Sequence, residues 1–140
     1  MAEPLRLIAE DAEDLAVISA ALQDAVTKVG DITWDAKHRR LTIAFNRFRW
    51  ESGGRGERVR AGLQLGGVLA VKARRLRRDA KAAVLELLAL TFEASEPPGG
   101  VVTFAFAGGG DLAATVECVD AALADVSQPW PTRRRPAHEG

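Results

Sequence analysis

The chain has 140 residues, 47% of them hydrophobic and 27% charged, with a formal net charge of +0 and a mean hydropathy of -0.05. That is the composition of one globular domain large enough to bury a core without staples. One cysteine and two histidines exclude an internal disulfide and a cysteine-rich zinc site.

Leu5 to Ala9 is a short apolar run followed by Glu10, Asp11, Glu13 and Asp14, unlike a secretion leader, and no segment offers the roughly 18 consecutive apolar residues of a membrane span. A cytoplasmic protein with no transmembrane segment is expected. Over residues 11–26, Leu15, Ile18, Leu22 and Ala25 recur at spacings of three and four behind Asp11, which predicts a capped amphipathic helix. Ile32 and Trp34, then Leu41, Ile43 and Phe45, alternate on either side of Asp35-Ala36-Lys37-His38, the pattern of two antiparallel strands and a polar turn. Phe48 and Trp50 fall out of phase with that second strand. A bulge near Asn46 or Arg47 is expected to return them to the core face and leave Arg47 and Arg49 on the other.

Gly53, Gly54 and Gly56 surround Arg55 in a loop expected to be mobile. Val59, Ala61, Leu63 and Leu65 form a half-buried strand ending at Gly66 and Gly67, and Val68 to Ala73 continues it past a bend. From Ala83 to Ala94 helical and strand periods compete, and alternation in the second half favours a strand. Pro97 to Gly100 mark a turn before Val102, Phe104 and Phe106; Gly108 to Asp111 close a hairpin onto Leu112, Ala114 and Val116. Glu117 to Val126 places Val119, Ala122, Leu123 and Val126 on one side, a short helix with Cys118 buried at its start. Trp130, between Pro129 and Pro131, is expected to pin the start of an extended tail holding Arg133 to Arg135.

These elements describe an α+β domain over residues 1–130 and an extended basic tail over 131–140. About six or seven antiparallel strands, an N-terminal helix and a short C-terminal helix match the layout of a pleckstrin-homology-like roll, a comparison of layout that assigns no function.

The balanced charge is segregated along the chain. Residues 1–25 sum to -5, residues 28–81 to +10, residues 82–130 to -7 and the tail to +2. If the acidic first helix or the acidic C-terminal half packs beside the basic middle, the pattern is internal complementarity; otherwise it raises local potential. Basic density peaks at Lys72, Arg74, Arg75, Arg77, Arg78 and Lys81 against Asp79 alone. Arginine forks suit carboxylate or phosphate, so this segment reads either as a binding surface or as a solvated strand end.

No catalytic constellation stands out. His38 falls in a turn and His138 in the tail; the glycine loops lack the flanking residues of a phosphate loop; the acids at 10–14 suit a helix N-terminus. No cofactor or metal is expected.

Asp14 to Ser19, Leu22 to Val26 with Val29-Gly30-Asp31, Asn46-Arg47-Phe48 with Trp50-Glu51, Val68 to Val71, and Gly108 to Gly110 leading to Val116-Glu117-Cys118 resemble blocks of a family of small bacterial proteins catalogued only as a domain of unknown function. The resemblance implies a bacterial cytosolic protein and brings no catalytic motif. Three functions follow. The first is a non-catalytic interaction module for an acidic protein partner or a homo-oligomer. The second is an RNA- or phosphate-ligand-binding protein acting through residues 72–81. The third is an enzyme whose carboxylates converge from distant loops.

Overall fold

Apolar residues recur every second position through most of the chain, and that period emerges as β-structure. The computed structural model describes residues 3–52 and 56–132; the expectations placed on Gly53 to Arg55, on Arg133 to Arg135 and on His138 lie outside the described residues. In order come β1 (Arg6–Ala9), α1 (Ala12–Ala21), β2 (Val26–Lys28), β3 (Ile32–Asp35), β4 (Arg40–Phe48), β5 (Glu57–Leu65), β6 (Val68–Arg74), β7 (Val84–Ala94), β8 (Gly100–Phe106), β9 (Asp111–Val116), β10 (Ala121–Asp125) and β11 (Trp130–Pro131). All described pairings are antiparallel, along the path β1-β10-β5-β4-β2-β7-β8-β9-β6, with β3 beside β4 and β11 beside β5.

This corrects the expected architecture. The protein is mostly antiparallel sheet with one helix among the described residues, rather than an α+β domain of six or seven strands closed by a C-terminal helix, and the pleckstrin-homology-like layout falls with that helix. The residues read as a closing helix form β10. Ala121 and Leu123 are buried with exposed Ala122 between them, while Val126 is 67% exposed. Helical spacing would bury Ala122 and Val126. β10 also fills a slot between β1 and β5, bonded on both sides, and that pairing overrides the helical preference of its alanines.

The sheet folds over on itself about one core. Gly66 and Gly67 carry β5 into β6, and residues 117–120 carry β9 into β10. The same two segments pair on both sides of the bend, Leu65 with Ala121 before it and Val68 with Val116 after it. Gly67, at φ +63, accepts the Glu117 N–H at 3.0 Å there, a conformation a side chain would strain. On the other side, Val26 of β2 pairs with both Asn46 of β4 and Glu86 of β7. Phe45, Phe104, Phe106, Leu63 and Leu90 meet inside, under the stripe Leu15, Ile18, Leu22 and Ala25. Asp11 caps α1 by accepting the Asp14 N–H at 2.8 Å, and Ser19 Oγ accepts the Leu90 N–H at 3.0 Å, tying the helix to β7.

A second correction concerns β4. Its pairing with β5 runs from Leu41↔Leu65 to Phe48↔Arg58 without a shift, so there is no bulge at Asn46 or Arg47. Alternation continues unbroken from Leu41, Ile43 and Phe45 to Arg47, which is 0% exposed; Phe48 is buried on the opposite face and Arg49 is buried as well. Phe48 packs against half-buried Trp50 at 4.6 Å between ring centroids. Cys118 is half-buried in the turn after β9 rather than in a helix. The start of the tail is pinned as expected, but through backbone: Trp130 pairs with Arg58, and Thr132 N–H donates to Gly56 O at 2.7 Å.

No described helix is long and apolar enough to cross a membrane.

Candidate functional site

β6 carries the first part of the basic segment. After a register shift at Leu69, Val71 and Ala73 are half-buried against the core while Lys72 and Arg74 are exposed. The chain then leaves the sheet with Arg75 at φ +56 and returns beside β2 and the turn after it, where Gly30 N–H donates to Lys81 O at 2.9 Å and Val29 N–H to Ala83 O at 3.0 Å. Leu76 packs back onto the core. The loop is thus held at both ends and in the middle, and it overhangs Ile32 and Trp34 of β3.

Between these parts lies a cleft of about 480 Å³, a size typical of sites that hold a small ligand or a short peptide segment. Its floor is apolar: Val29, Ile32, Trp34, Val71, Ala73, Leu76 and Leu112. Lys72, Arg74, Arg78 and Lys81 ring it. The fold therefore brings four of the six basic residues to one cavity. Arg75 and Arg77 are exposed outside its lining.

The charge segregation is partly neutralised by folding. Because β5 lies beside β10 and β6 beside β9, basic side chains of the middle block meet carboxylates of the later one: Arg39 with Glu117, Arg47 with Asp125, and Arg74 with Asp111. Arg74 grips Asp111 with two bonds, of 2.9 and 3.1 Å. Among the described residues, Lys72, Arg78 and Lys81 have no carboxylate within ion-pair distance. Three exposed cations beside an apolar floor thus concentrate positive charge that no ion pair among the described residues takes up.

The polar cluster that sequence reasoning missed lies elsewhere. Arg47 donates to Asp125 through Nε and Nη2, both at 2.8 Å, and to Glu51 through Nη1 at 3.0 Å and Nη2 at 2.5 Å. Asp125 also accepts the Leu5 N–H at 2.8 Å and is 2% exposed. Burial disfavours the Arg47 cation, but the carboxylates of Asp125 and Glu51 overcome it and hold the guanidinium charged well above its ordinary range; Arg47 in turn pulls the Glu51 carboxyl below its own. The available signal was the parity of Arg47 with Leu41, Ile43 and Phe45. Every donor on Arg47 that faces this cluster is engaged, so the cluster locks β4 to β10 and the segment before β1.

A smaller polar hollow of about 370 Å³ beside β2 holds Arg60, which bonds Asn46 Oδ1 at 3.1 Å and pairs with Asp31 at 3.4 Å. At the β3–β4 turn, Asp35 and His38 bond each other at 2.8 Å in solvent, and His38 holds the Asp35 carboxyl below its usual range. Among the described residues no group of His, Cys, Asp and Glu could hold a metal ion.

No curated protein and no solved structure matches the chain at a significant level. The family model described as "Protein of unknown function (DUF2948)" matches residues 5–138, and since that match spans nearly the whole sequence, including every strand of the fold and the cleft, the chain belongs to this family.

Proposed function

We propose that this protein is a non-catalytic interaction module of the bacterial cytoplasm that takes an acidic segment of a protein partner into the cleft under Lys72, Arg78 and Lys81. One observation carries the reading: three cations without ion-pair partners among the described residues converge on an apolar floor built from β3, β6 and the 76–81 loop. Carboxylates satisfy the cations, and apolar side chains of the same segment cover the floor. The single tryptophan of the floor, Trp34, supplies no row of stacking rings, and Phe48 and Trp50 are packed on one another; both features favour protein over RNA as the occupant.

Selection of random dodecapeptides displayed on phage, against the wild-type protein and a Lys72→Ala/Arg78→Ala/Lys81→Ala variant, tests the reading. Acidic peptides should be enriched on the wild type alone. Three exposed charge contacts at about 0.5 kcal/mol each correspond to roughly a tenfold loss of affinity in the variant, and binding should weaken as salt rises. No acidic enrichment, equal binding to the variant, or binding of poly-uridylate RNA where no peptide binds would each overturn it.

A further inference from the structure

Where the cleft meets β6 it meets the edge of a sheet. β6 is the last strand of the path and pairs only with β9 among the described residues. Four consecutive residues, Val71, Lys72, Ala73 and Arg74, line the cleft. In a strand, neighbouring side chains point to opposite faces, so a cavity lying over one face touches every second residue. A cavity that touches four in a row lies along the edge, where the N–H and C=O groups not used by β9 emerge. β3, across the cleft, contributes Ile32 and Trp34 only, alternate residues, and so presents a face. Past Val68, whose N–H donates to Arg39 O at 2.9 Å, the outward backbone groups of β6 have no hydrogen-bond partner among the described residues.

Resting on the reading above, we infer that the acidic segment binds as an added β-strand on the free edge of β6, its backbone bonded to residues 71–74 and its side chains alternating between the apolar floor and the cationic rim. The added strand would extend the β7-β8-β9-β6 half of the sheet across the face of β3. One set of its side chains meets Ile32, Trp34 and Leu76; the other set stands beside Lys72 and, from the overhanging loop, Arg78 and Lys81. Four residues of β6 edge span roughly 13 Å, so the recognised core is about four residues long, extended, with acidic and apolar side chains in alternation. Backbone pairing supplies affinity without regard to sequence, and the floor and rim supply the choice of sequence.

The test uses a peptide from the selection, resynthesised with a single N-methyl group at each position in turn, together with hydrogen exchange of the full-length protein. An N-methyl group removes a backbone donor and leaves the side chain intact. Strand addition predicts a loss of at least about tenfold at every second position of the core and little change between them, with new exchange protection at alternate amides within residues 70–74. Tight binding that tolerates N-methylation throughout, or that leaves exchange along β6 unaltered, would overturn strand addition while the cleft reading stands. Should no acidic peptide bind, the cleft reading fails, and this inference with it. Concentration-dependent self-association giving the same protection without peptide would place a second copy of the chain on the edge and also overturn it.

Discussion

Asp125→Ala is the most informative perturbation of the core. The side chain it removes is 2% exposed and accepts two bonds from Arg47 and one from Leu5 N–H. Arg47, with no exposed surface, would keep Glu51, whose side chain is 39% exposed, and a long bond from Nη1 to Phe48 O at 3.4 Å. Removing one partner of a buried pair costs about 3–5 kcal/mol. The surviving Glu51 bonds put the charge term near the lower end, and the orphaned Leu5 N–H adds about 1 kcal/mol. A total loss of about 3–4 kcal/mol corresponds, for a domain of this size, to a fall in Tm on the order of 12–16 °C. Thermal and urea unfolding followed by circular dichroism measure it, with Arg47→Met/Asp125→Leu as the companion variant. Replacing both buried charges by apolar groups leaves no buried cation short of a partner, and Glu51, 39% exposed and 3.8 Å from Arg49, keeps its hydration, so the double variant should recover at least about 2 kcal/mol over Asp125→Ala. Asp125→Ala lying within about 1 kcal/mol of the wild type, or a double variant less stable than the single one, would refute the assignment of this pair as the lock between β4 and β10.

Three further outcomes are expected. Because Arg47 holds the Glu51 carboxyl below its unfolded value of about 4.3, the Glu51 contribution is fully present above that pH and disappears as pH falls through the folded value. Glu51→Gln should therefore flatten the acid limb of stability against pH, read from urea midpoints between about pH 6 and pH 3. Asp11→Ala removes the acceptor for Asp14 N–H at the start of α1 and should cost about 1 kcal/mol in urea unfolding, with Asp11→Asn recovering most of it. Gly109, at φ +96 in the β8–β9 turn, should cost on the order of 1–2 kcal/mol when replaced by alanine, with an unchanged urea slope.

Strand periods were legible wherever a strand was long and faced the core on one side. Leu41 to Phe45, Val59 to Leu65 and Val102 to Phe106 alternate in sequence and alternate in burial. β1 and β2 were missed because four and three residues are too few to show a period, and they are strands only because β10, β4 and β7 present edges to them. β10 misled for a related reason: an alanine-rich stretch of five residues suits either period, and the decision belongs to its neighbours in the sheet. At β4 the alternation was present but two aromatic residues argued against it. The aromatic pair Phe48 and Trp50 falls on the other parity, so the sequence favours a bulge that brings both to the core face; arginine is seldom fully buried, but here the register holds and Arg47 meets two carboxylates, one of them 78 residues away. The basic segment was visible as a run of charge, but the cleft was not, because its floor comes from residues 29–34 and Leu112.

Cations on a free sheet edge have a second physical effect, since they keep the edge from pairing with other copies of the chain. Lys72 and Arg74 on β6 satisfy that requirement alone, and Arg74 is in addition neutralised by Asp111. An edge guarded for solubility needs nothing more, and it needs no cavity. Arg78 and Lys81 come instead from a loop that departs from the edge, is anchored on Gly30 and Val29, and faces the same space across Trp34 and Leu76. Their convergence concentrates like charge where Asp79 is the one acid of the loop and Asp111 is taken up by Arg74, which is destabilising unless an anionic occupant relieves it. The two effects separate in one comparison. A guarded edge loses solubility when Lys72 and Arg74 become alanine and is indifferent to Arg78 and Lys81, whereas a binding cleft loses affinity with Arg78 and Lys81 while the protein stays monomeric and soluble.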